Sequence, residues 1–315
     1  MNTEVIYLTQ PGPIWDWKVA LDLFLGGAGC GALLFAVLLD EGFHAKYRRI
    51  CHTAAWLSPV LIAVGLLLIF LKMGRPFNMY QTYLNFSPLS PLWWGGIFQP
   101  LLVGGAFLYA LLWIQPDQRV EARRWLGRIL VLLALIVGAY HGMLLSVMVS
   151  HPLWNTGPTV VAALLSFASS GTAVVMLVHL IRMKLAGRLR EDKHLDEFLN
   201  DMRIVRNTLG VLLILQLGTF FLWWLSLRLG SLQAQQALEA ANATYGPMFW
   251  GLGIGLGLIL PLILGTWMVF YGESAHRKLQ IQVIGWTSAM IVVGAAFFRL
   301  ALVLGGQAPL PLNLF

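Results

Sequence analysis

The chain has 315 residues, of which 58% are hydrophobic and only 11% are charged. Soluble domains carry about 25% charged residues, so this composition excludes a cytosolic enzyme, a secreted disulfide scaffold and a disordered protein. The two cysteines are too few to hold an iron–sulfur cluster on four thiolates. The composition therefore predicts a polytopic membrane protein.

Eight apolar stretches are each long enough to cross the hydrocarbon layer, which takes about 20 helical residues. They lie at 18–39, 53–72, 95–114, 129–149, 159–181, 208–228, 248–270 and 282–304. Because an open strand edge cannot be satisfied in lipid, all eight are predicted to be helices. The expected fold is all-α, a single integral membrane domain over residues 1–315.

Basic residues are distributed unevenly among the predicted loops. Sixteen Lys and Arg follow the odd-numbered spans, four lie on the other side, and Arg299 lies inside the last span. The positive-inside rule then places both termini on the outer side of the membrane. The net charge of +7 is thereby explained by basic loops on the inner side of the membrane, and no nucleic-acid partner is expected. Among the basic loops, residues 186–206 have apolar side chains at helical spacing, which predicts a helix lying on the membrane surface.

A short internal similarity suggests two halves of like orientation, 1–150 and 151–315. Pro13 to Asp16 precedes the first span and Pro152 to Asn155 precedes the fifth, and each is followed by a glycine among small residues, Gly31 and Gly171. Two bundles of four helices would explain this similarity, and so would chance.

Few ionisable or aromatic polar side chains lie inside the spans, and each is costly there, so each is a functional candidate. Asp22, Tyr140, His141 and Arg299 all fall within roughly 15 Å of the outer surface at 1.5 Å per helical residue. The inner half of the spans is expected to hold little beyond His179. Two interpretations are open: an Asp22–Arg299 ion pair that only joins helices, or a polar pocket that opens outward.

Other kinds of site are not favoured by the residues. The glycine runs beginning at Gly26 and Gly251 follow no strand, so close helix packing is favoured over phosphate binding. Only His141 and His179 lie within spans, toward opposite faces, so no haem is expected in this chain. No cluster has metal-ligand spacing, so no metal site is expected either.

Five segments in order resemble the membrane subunits of the NrfD/PsrC family. They are Leu23 to Gly27, Gly74 to Pro91, Gly138 to Asn155, Ser169 to Ala173, and Arg299 to Gln307. Three positions depart from the family pattern: Asp22 stands where Tyr is frequent, Met73 replaces an Asp, and His141 replaces a Thr.

The resemblance implies a quinone-reactive anchor of eight or nine helices in a prokaryotic inner membrane, with periplasmic termini. Such anchors bind menaquinone or ubiquinone and exchange electrons with a ferredoxin-like iron–sulfur subunit, usually beside a molybdopterin catalytic subunit. Tyr140 and Arg299 match positions associated with the quinone pocket. The chain itself is expected to carry no catalytic cofactor.

The resulting hypothesis is a quinone site near the periplasmic face. Tyr140 or His141 would contact a carbonyl, and Asp22 would accept or supply a proton. Arg299 would hold Asp22 or stabilise a partly reduced ring, while Gly26 and Gly27 would leave room for the ring. The alternatives are a secondary transporter or channel that moves a small anion past Arg299, and a structural anchor without ligand.

The position of the site also predicts where the iron–sulfur subunit binds. Electrons must reach the quinone over a short gap, and the polar residues lie toward the outer face. The loops Gly74 to Pro91 and His151 to Pro158, which are nearly free of charge, are predicted to lie on that face. The partner is therefore expected against these loops, with the basic loops largely uncovered.

Overall fold

The computed structural model describes residues 14–190, 192–272 and 275–309. All regular secondary structure in these ranges is helical, and eight helices are long and apolar enough to cross a membrane. This confirms the all-α polytopic fold and the eight predicted spans. The side of the membrane on which the termini lie and the division into halves stay predictions.

Five spans are single helices close to the predicted bounds. They are α1 (Trp17–Phe43), α2 (Arg48–Lys72), α4 (Pro91–Leu112), α5 (Val120–Ser146) and α6 (Pro158–Leu185), with the short α3 (Tyr80–Leu84) in the loop between α2 and α4. The sixth span is α7 (Asp192–Arg228), and the last is α10 (Arg277–Gly305). The seventh is composite: α8 (Leu232–Gly246), a π-helical stretch (Pro247–Ile259) and α9 (Leu260–Tyr271).

The expectation of a separate surface helix at 186–206 is wrong. Most of this segment is the beginning of α7, which continues without a break into the sixth span. Its apolar stripe packs against protein, since Phe198 and Met202 are buried and the Phe198 ring stacks on His179 with centroids 5.9 Å apart. Helical spacing revealed the stripe, but it could not say whether lipid or protein covers it.

Helices α1 and α6 form the centre of the bundle, where their backbones touch. A Cβ on Gly171 would lie 2.5 Å from the Ala28 carbonyl oxygen, and a Cβ on Gly31 would collide with the backbone of Phe167. Glycine is therefore required at this crossing. Similarly, Gly257 of the π-helical stretch packs on Gly294 of α10, so the second glycine run also serves close packing, as expected.

The two ends of the described chain meet at one membrane face, which we call the terminal face. The Trp15 backbone N–H donates to Gln307 Oε1 at 2.9 Å, and Gln307 Nε2 donates to the Trp15 carbonyl at 2.8 Å. Trp15 stacks on Trp154 at 5.2 Å, and Trp154 Nε1 donates to the Leu302 carbonyl at 2.7 Å. These contacts join the start of α1, the loop before α6 and the end of α10.

The opposite side, the basic face, carries ion pairs between helix ends. Arg123 of α5 makes two 2.8 Å hydrogen bonds to Asp40 of α1, and both side chains are buried. One turn away, Arg128 pairs with Glu41 at 2.9 Å, in a more exposed position. The inner half of the spans therefore holds more than the His179 expected there, because Asp40 and Arg123, counted as loop residues in the sequence, belong to α1 and α5 and are buried by pairing.

Candidate functional site

A narrow cavity lies near the terminal face, between α1, α5, α6, α7 and α10. Its volume is about 40 Å³, space for a few water molecules. Most of its lining is apolar, with aromatic rings and aliphatic side chains: Leu23, Leu145, Ala162, Ala163, Phe167, Phe220, Trp223, Phe298, Leu302 and Val303. The polar lining residues are His141, Thr159, Ser166 and Arg299. An apolar cavity with a few polar groups is the usual form of a small-molecule site.

Three polar side chains in this cavity have buried atoms without a hydrogen-bond partner among the described residues. These atoms are both ring nitrogens of His141, Oγ of Ser166 and Nη2 of Arg299. Leaving a buried donor or acceptor unpaired costs about 1–3 kcal/mol, and most buried polar groups in folded proteins are paired. Their concentration in one cavity indicates a ligand that carries its own donors and acceptors.

Arg299 is held by its own helix and by two aromatic rings. Its Nη1 donates to the Ala295 carbonyl at 3.2 Å, and the guanidinium lies 4.9 Å from the ring centre of Phe167 and 5.7 Å from that of Phe24. It forms no ion pair with Asp22 in the described part of the chain. The interpretation that an Asp22–Arg299 ion pair only joins helices is therefore not supported. The Arg299 guanidinium lies beside the cavity without a carboxylate partner among the described residues.

Asp22 lies next to the cavity, in a second polar cluster. Gln99 of α4 donates to Asp22 Oδ1 at 3.4 Å, and both side chains are 5% exposed. A Cβ on Gly26 would lie 3.5 Å from Gln99 Nε2, 3.8 Å from Asp22 Oδ1 and 3.4 Å from His141 Cε1. Gly26 therefore separates this cluster from the His141 ring, which faces the cavity on its other side.

Tyr140 neither lines the cavity nor bonds the Asp22–Gln99 pair. Its ring and hydroxyl occupy the space where Gly95 of α4 lacks a side chain, and its ring centre lies 5.2 Å from that of His141. The four predicted residues are thus brought to one region. Only His141 and Arg299 line the cavity, while Asp22 and Tyr140 lie beyond His141.

The two glycines predicted to leave room for a ring differ in their surroundings. Beside Gly26 a methyl group would meet its neighbours at ordinary contact distances. At Gly27 the equivalent space is filled by the Phe167 ring, with which a Cβ would collide. Gly27 therefore acts on the cavity through Phe167, which lines it and supports Arg299.

Three polar residues of this region, Gln99, Thr159 and Ser166, were not predicted. The candidates within the spans were ionisable and aromatic polar groups, so uncharged ones were passed over. An amide in the apolar run of α4 was a visible signal for Gln99. Ser166 had none, because hydroxyls in transmembrane helices commonly bond their own backbone, as Ser170 does to the Ser166 carbonyl at 2.6 Å.

Metal ligands are not clustered in the described ranges. No three His, Cys, Asp or Glu side chains there lie close enough to share an ion. Cys30 and Cys51 are both buried and free.

Comparison with known proteins identifies relatives across nearly the whole chain. Residues 7–311 match the family described as "Polysulphide reductase, NrfD". Protein NrfD of Escherichia coli is 27% identical over 93% of this chain and 95% of the relative. The NrfD homolog of Haemophilus influenzae is 23% identical over 94% and 95%. The C chain of the polysulfide reductase of Wolinella succinogenes is 28% identical over 80% and 83%. The resemblance seen in the sequence motifs is thus confirmed, and the chain belongs to the NrfD family of polysulphide reductase-type membrane proteins.

Proposed function

We propose that this chain is the quinone-reactive membrane subunit of a respiratory oxidoreductase complex. The observation that carries the proposal is the apolar cavity in which His141, Ser166 and Arg299 have unpaired buried polar atoms. A quinone matches both properties, since its ring and tail are apolar and its two carbonyl oxygens accept hydrogen bonds. Ubiquinone and menaquinone share these properties.

Different residues of the cavity would contact different parts of the quinone. Arg299 Nη2 is a donor of fixed charge, so it would hold one carbonyl oxygen and favour negative charge on the ring. Ser166 can donate or accept, and His141 can do either at each ring nitrogen according to its tautomer. The rings of Phe167, Phe220 and Phe298 would enclose the apolar part of the ligand.

Quinone reduction takes up two electrons and two protons, and quinol oxidation releases them. His141 would exchange a proton with the ligand oxygen, because it lines the cavity and is also in contact range of Gly26. Asp22, held by Gln99, would exchange the proton with His141 on the other side of Gly26. Tyr140 would keep the His141 ring in place. The chain needs no redox centre for this role, since the electrons pass between the ligand and a partner subunit.

The names of the relatives support membership of a larger complex. One of them is named as the C chain of a polysulfide reductase, which is the name of a subunit. We place a periplasmic ferredoxin-like iron–sulfur subunit on the terminal face, with a molybdopterin catalytic subunit beyond it. The loop between α2 and α4 supports this placement, because Phe77, Phe86 and Leu89 are 86%, 74% and 97% exposed there. A partner would cover these apolar side chains.

We also place the chain in a prokaryotic inner membrane with periplasmic termini. The excess of Lys and Arg on the basic face supports this orientation, since basic loops stay in the cytoplasm.

The site is tested in the purified complex, by quinone binding and by quinol-coupled turnover. Arg299→Gln and His141→Phe remove unpaired polar groups from the cavity, and each is expected to reduce turnover by about tenfold or more. Ser166→Ala removes a third, with a smaller effect. Ser58→Ala is the matched control, because Ser58 is a buried serine of α2 whose Oγ is also unpaired, outside the cavity. Wild-type binding and turnover in the first two variants would refute the site.

Asp22→Asn tests the proposed proton route, and Tyr140→Leu tests the support that the Tyr140 ring gives to His141. We expect both variants to bind quinone and to lose turnover, with Asp22→Asn the more severe. If instead the purified chain contains no quinone and moves a small anion in vesicles, the transporter hypothesis replaces this one.

The binding side of the partner is tested by site-directed cross-linking in membranes. Cysteines replacing Asn85 and Asn155, which are exposed on the terminal face, are expected to give adducts with the iron–sulfur subunit. Arg119, exposed on the basic face, is the control position. Adducts from Arg119 alone would reverse both the binding side and the placement of the quinone site.

A further inference from the structure

A second pocket lies at the basic face, on the other side of the membrane from the cavity. It is formed by the beginning of α2, the end of α6 and the turns that follow α4 and α6, and its volume is about 500 Å³. Its lining residues are Arg48, Arg49, His52, Trp113, Ile114, Pro116, His179, Arg182, Met183, Ala186 and Arg188. Four arginines and two histidines thus share one pocket, and the lining contains no carboxylate.

Two of these arginines are paired and two are not. Arg48 bonds Asp117 through both terminal nitrogens at 3.0 Å, and Arg49 bonds Glu197 at 2.9 Å. Arg182 and Arg188 form no ion pair with any carboxylate in the described ranges. The pocket therefore retains an excess positive charge, which favours an anionic ligand.

The Arg182 guanidinium is held in place before any ligand binds. Its Nη1 donates to Thr53 Oγ1 at 2.7 Å, and the same hydroxyl lies 3.2 Å from His179 Nδ1. His179 in turn stacks on Phe198. A guanidinium has five N–H donors, so this contact leaves most of them for a ligand. Guanidinium groups bind phosphate oxygens strongly, because the planar fork of donors matches their geometry.

The position of the pocket favours a lipid over a soluble ion. It lies where α2 begins and α4 and α6 end, which is the depth of the lipid headgroups. One of its edges is apolar: Ile114 is 62% exposed after the end of α4, beside the buried Met183 and Trp113. An acyl chain could lie along that edge while its phosphate reaches the arginines. Basic pockets between transmembrane helices commonly bind acidic headgroups.

We propose that this pocket binds the phosphate headgroup of an anionic glycerophospholipid from the leaflet at the basic face. Arg182 and Arg188 supply the principal charge, while Arg48 and Arg49 close the pocket from the α2 side. This binding does not depend on the quinone cavity.

The test measures lipid binding to the purified chain in detergent after delipidation, by native mass spectrometry. The probes are dioctanoyl phosphatidylglycerol, dioctanoyl phosphatidylcholine and inorganic phosphate. Comparing phosphatidylglycerol with phosphatidylcholine shows whether binding depends on the net charge of the headgroup or only on its phosphate. Inorganic phosphate shows whether a free anion binds as well as a lipid does. The variant is Arg182→Gln/Arg188→Gln, and the matched control is Lys46→Gln/Arg119→Gln, which removes two charges from the same face outside the pocket.

We expect wild type to bind phosphatidylglycerol in preference to both other probes. Each arginine near an acidic headgroup contributes on the order of a factor of five, so the double variant should bind about 25-fold more weakly. The control should bind as wild type does, and both variants should elute as single folded species. Equal losses in the two double variants would mean a diffuse surface charge effect and would overturn the proposal. So would wild-type affinity in the pocket variant, or binding of inorganic phosphate as tight as that of the lipid.

Discussion

Neutralising Asp40 should destabilise the protein strongly, because its partner is a buried arginine. The side chains of Arg123 and Asp40 are 5% and 3% exposed, and two 2.8 Å hydrogen bonds join them. Removing one partner of such a pair costs about 3–5 kcal/mol, since it leaves an uncompensated buried charge. Arg123 would keep its bond to the Pro116 carbonyl and its position 4.1 Å over the Trp113 ring. We therefore expect the lower end for Asp40→Asn, about 3 kcal/mol.

The neighbouring pair provides the control. Glu41 and Arg128 belong to the same two helices and are joined by similar bonds of 2.9 and 3.1 Å, but their side chains are 28% and 53% exposed. Exposed pairs contribute little, so Glu41→Gln should change the free energy of unfolding much less.

The assay is reversible unfolding in mixed micelles of dodecyl sulfate and a non-ionic detergent. The double variant Asp40→Asn/Arg123→Gln should recover part of the loss, because it leaves no buried charge. Equal losses for Asp40→Asn and Glu41→Gln, or no recovery in the double variant, would refute the argument from burial.

Two further predictions concern packing near the cavity, measured by the same unfolding assay. Gly27→Ala should destabilise the protein by about 1–3 kcal/mol, because its methyl group would collide with the Phe167 ring and overpack the core. Gly26→Ala should have little effect on stability, since its methyl group meets neighbours at ordinary distances; equal losses at the two glycines would contradict this difference. Gln307→Ala removes two hydrogen bonds to the Trp15 backbone, so it should cost about 2 kcal/mol. A wild-type unfolding curve for that variant would show that these bonds do not hold the helix ends together.

The sequence was sufficient for the spans and insufficient for the pairing between them. Hydropathy averages over about 20 residues, so it located every span but treated Asp40 and Arg123 as loop residues beyond the ends of their helices. They become part of the buried bundle only because they meet each other in three dimensions. The π-helical stretch Pro247–Ile259 was likewise unpredicted, since hydropathy does not distinguish a π-helix from an α-helix.

The sequence predicted where the candidate site lies, but not which side chains line the cavity. Asp22, Tyr140, His141 and Arg299 were chosen because polar groups are costly in lipid, and they do lie near one another. Whether a side chain lines the cavity or supports it from behind depends on its rotation about the helix axis. His141 and its neighbour Tyr140 are about 100° apart around the axis of α5, and the sequence does not show which of the two faces the cavity.

The positions of the partners of α1 affect how the chain is inserted during synthesis. Asp22 and Asp40 are both made early, but Gln99 and Arg123, to which they bond, follow in the third and fourth spans. A charged side chain costs about 2.5–3.5 kcal/mol at the centre of a bilayer on insertion scales, and less near the helix ends where Asp22 and Asp40 lie. Each aspartate therefore lacks its hydrogen-bond partner until the third or fourth span has been made, so the polar contacts of α1 can be completed only after α5 has emerged.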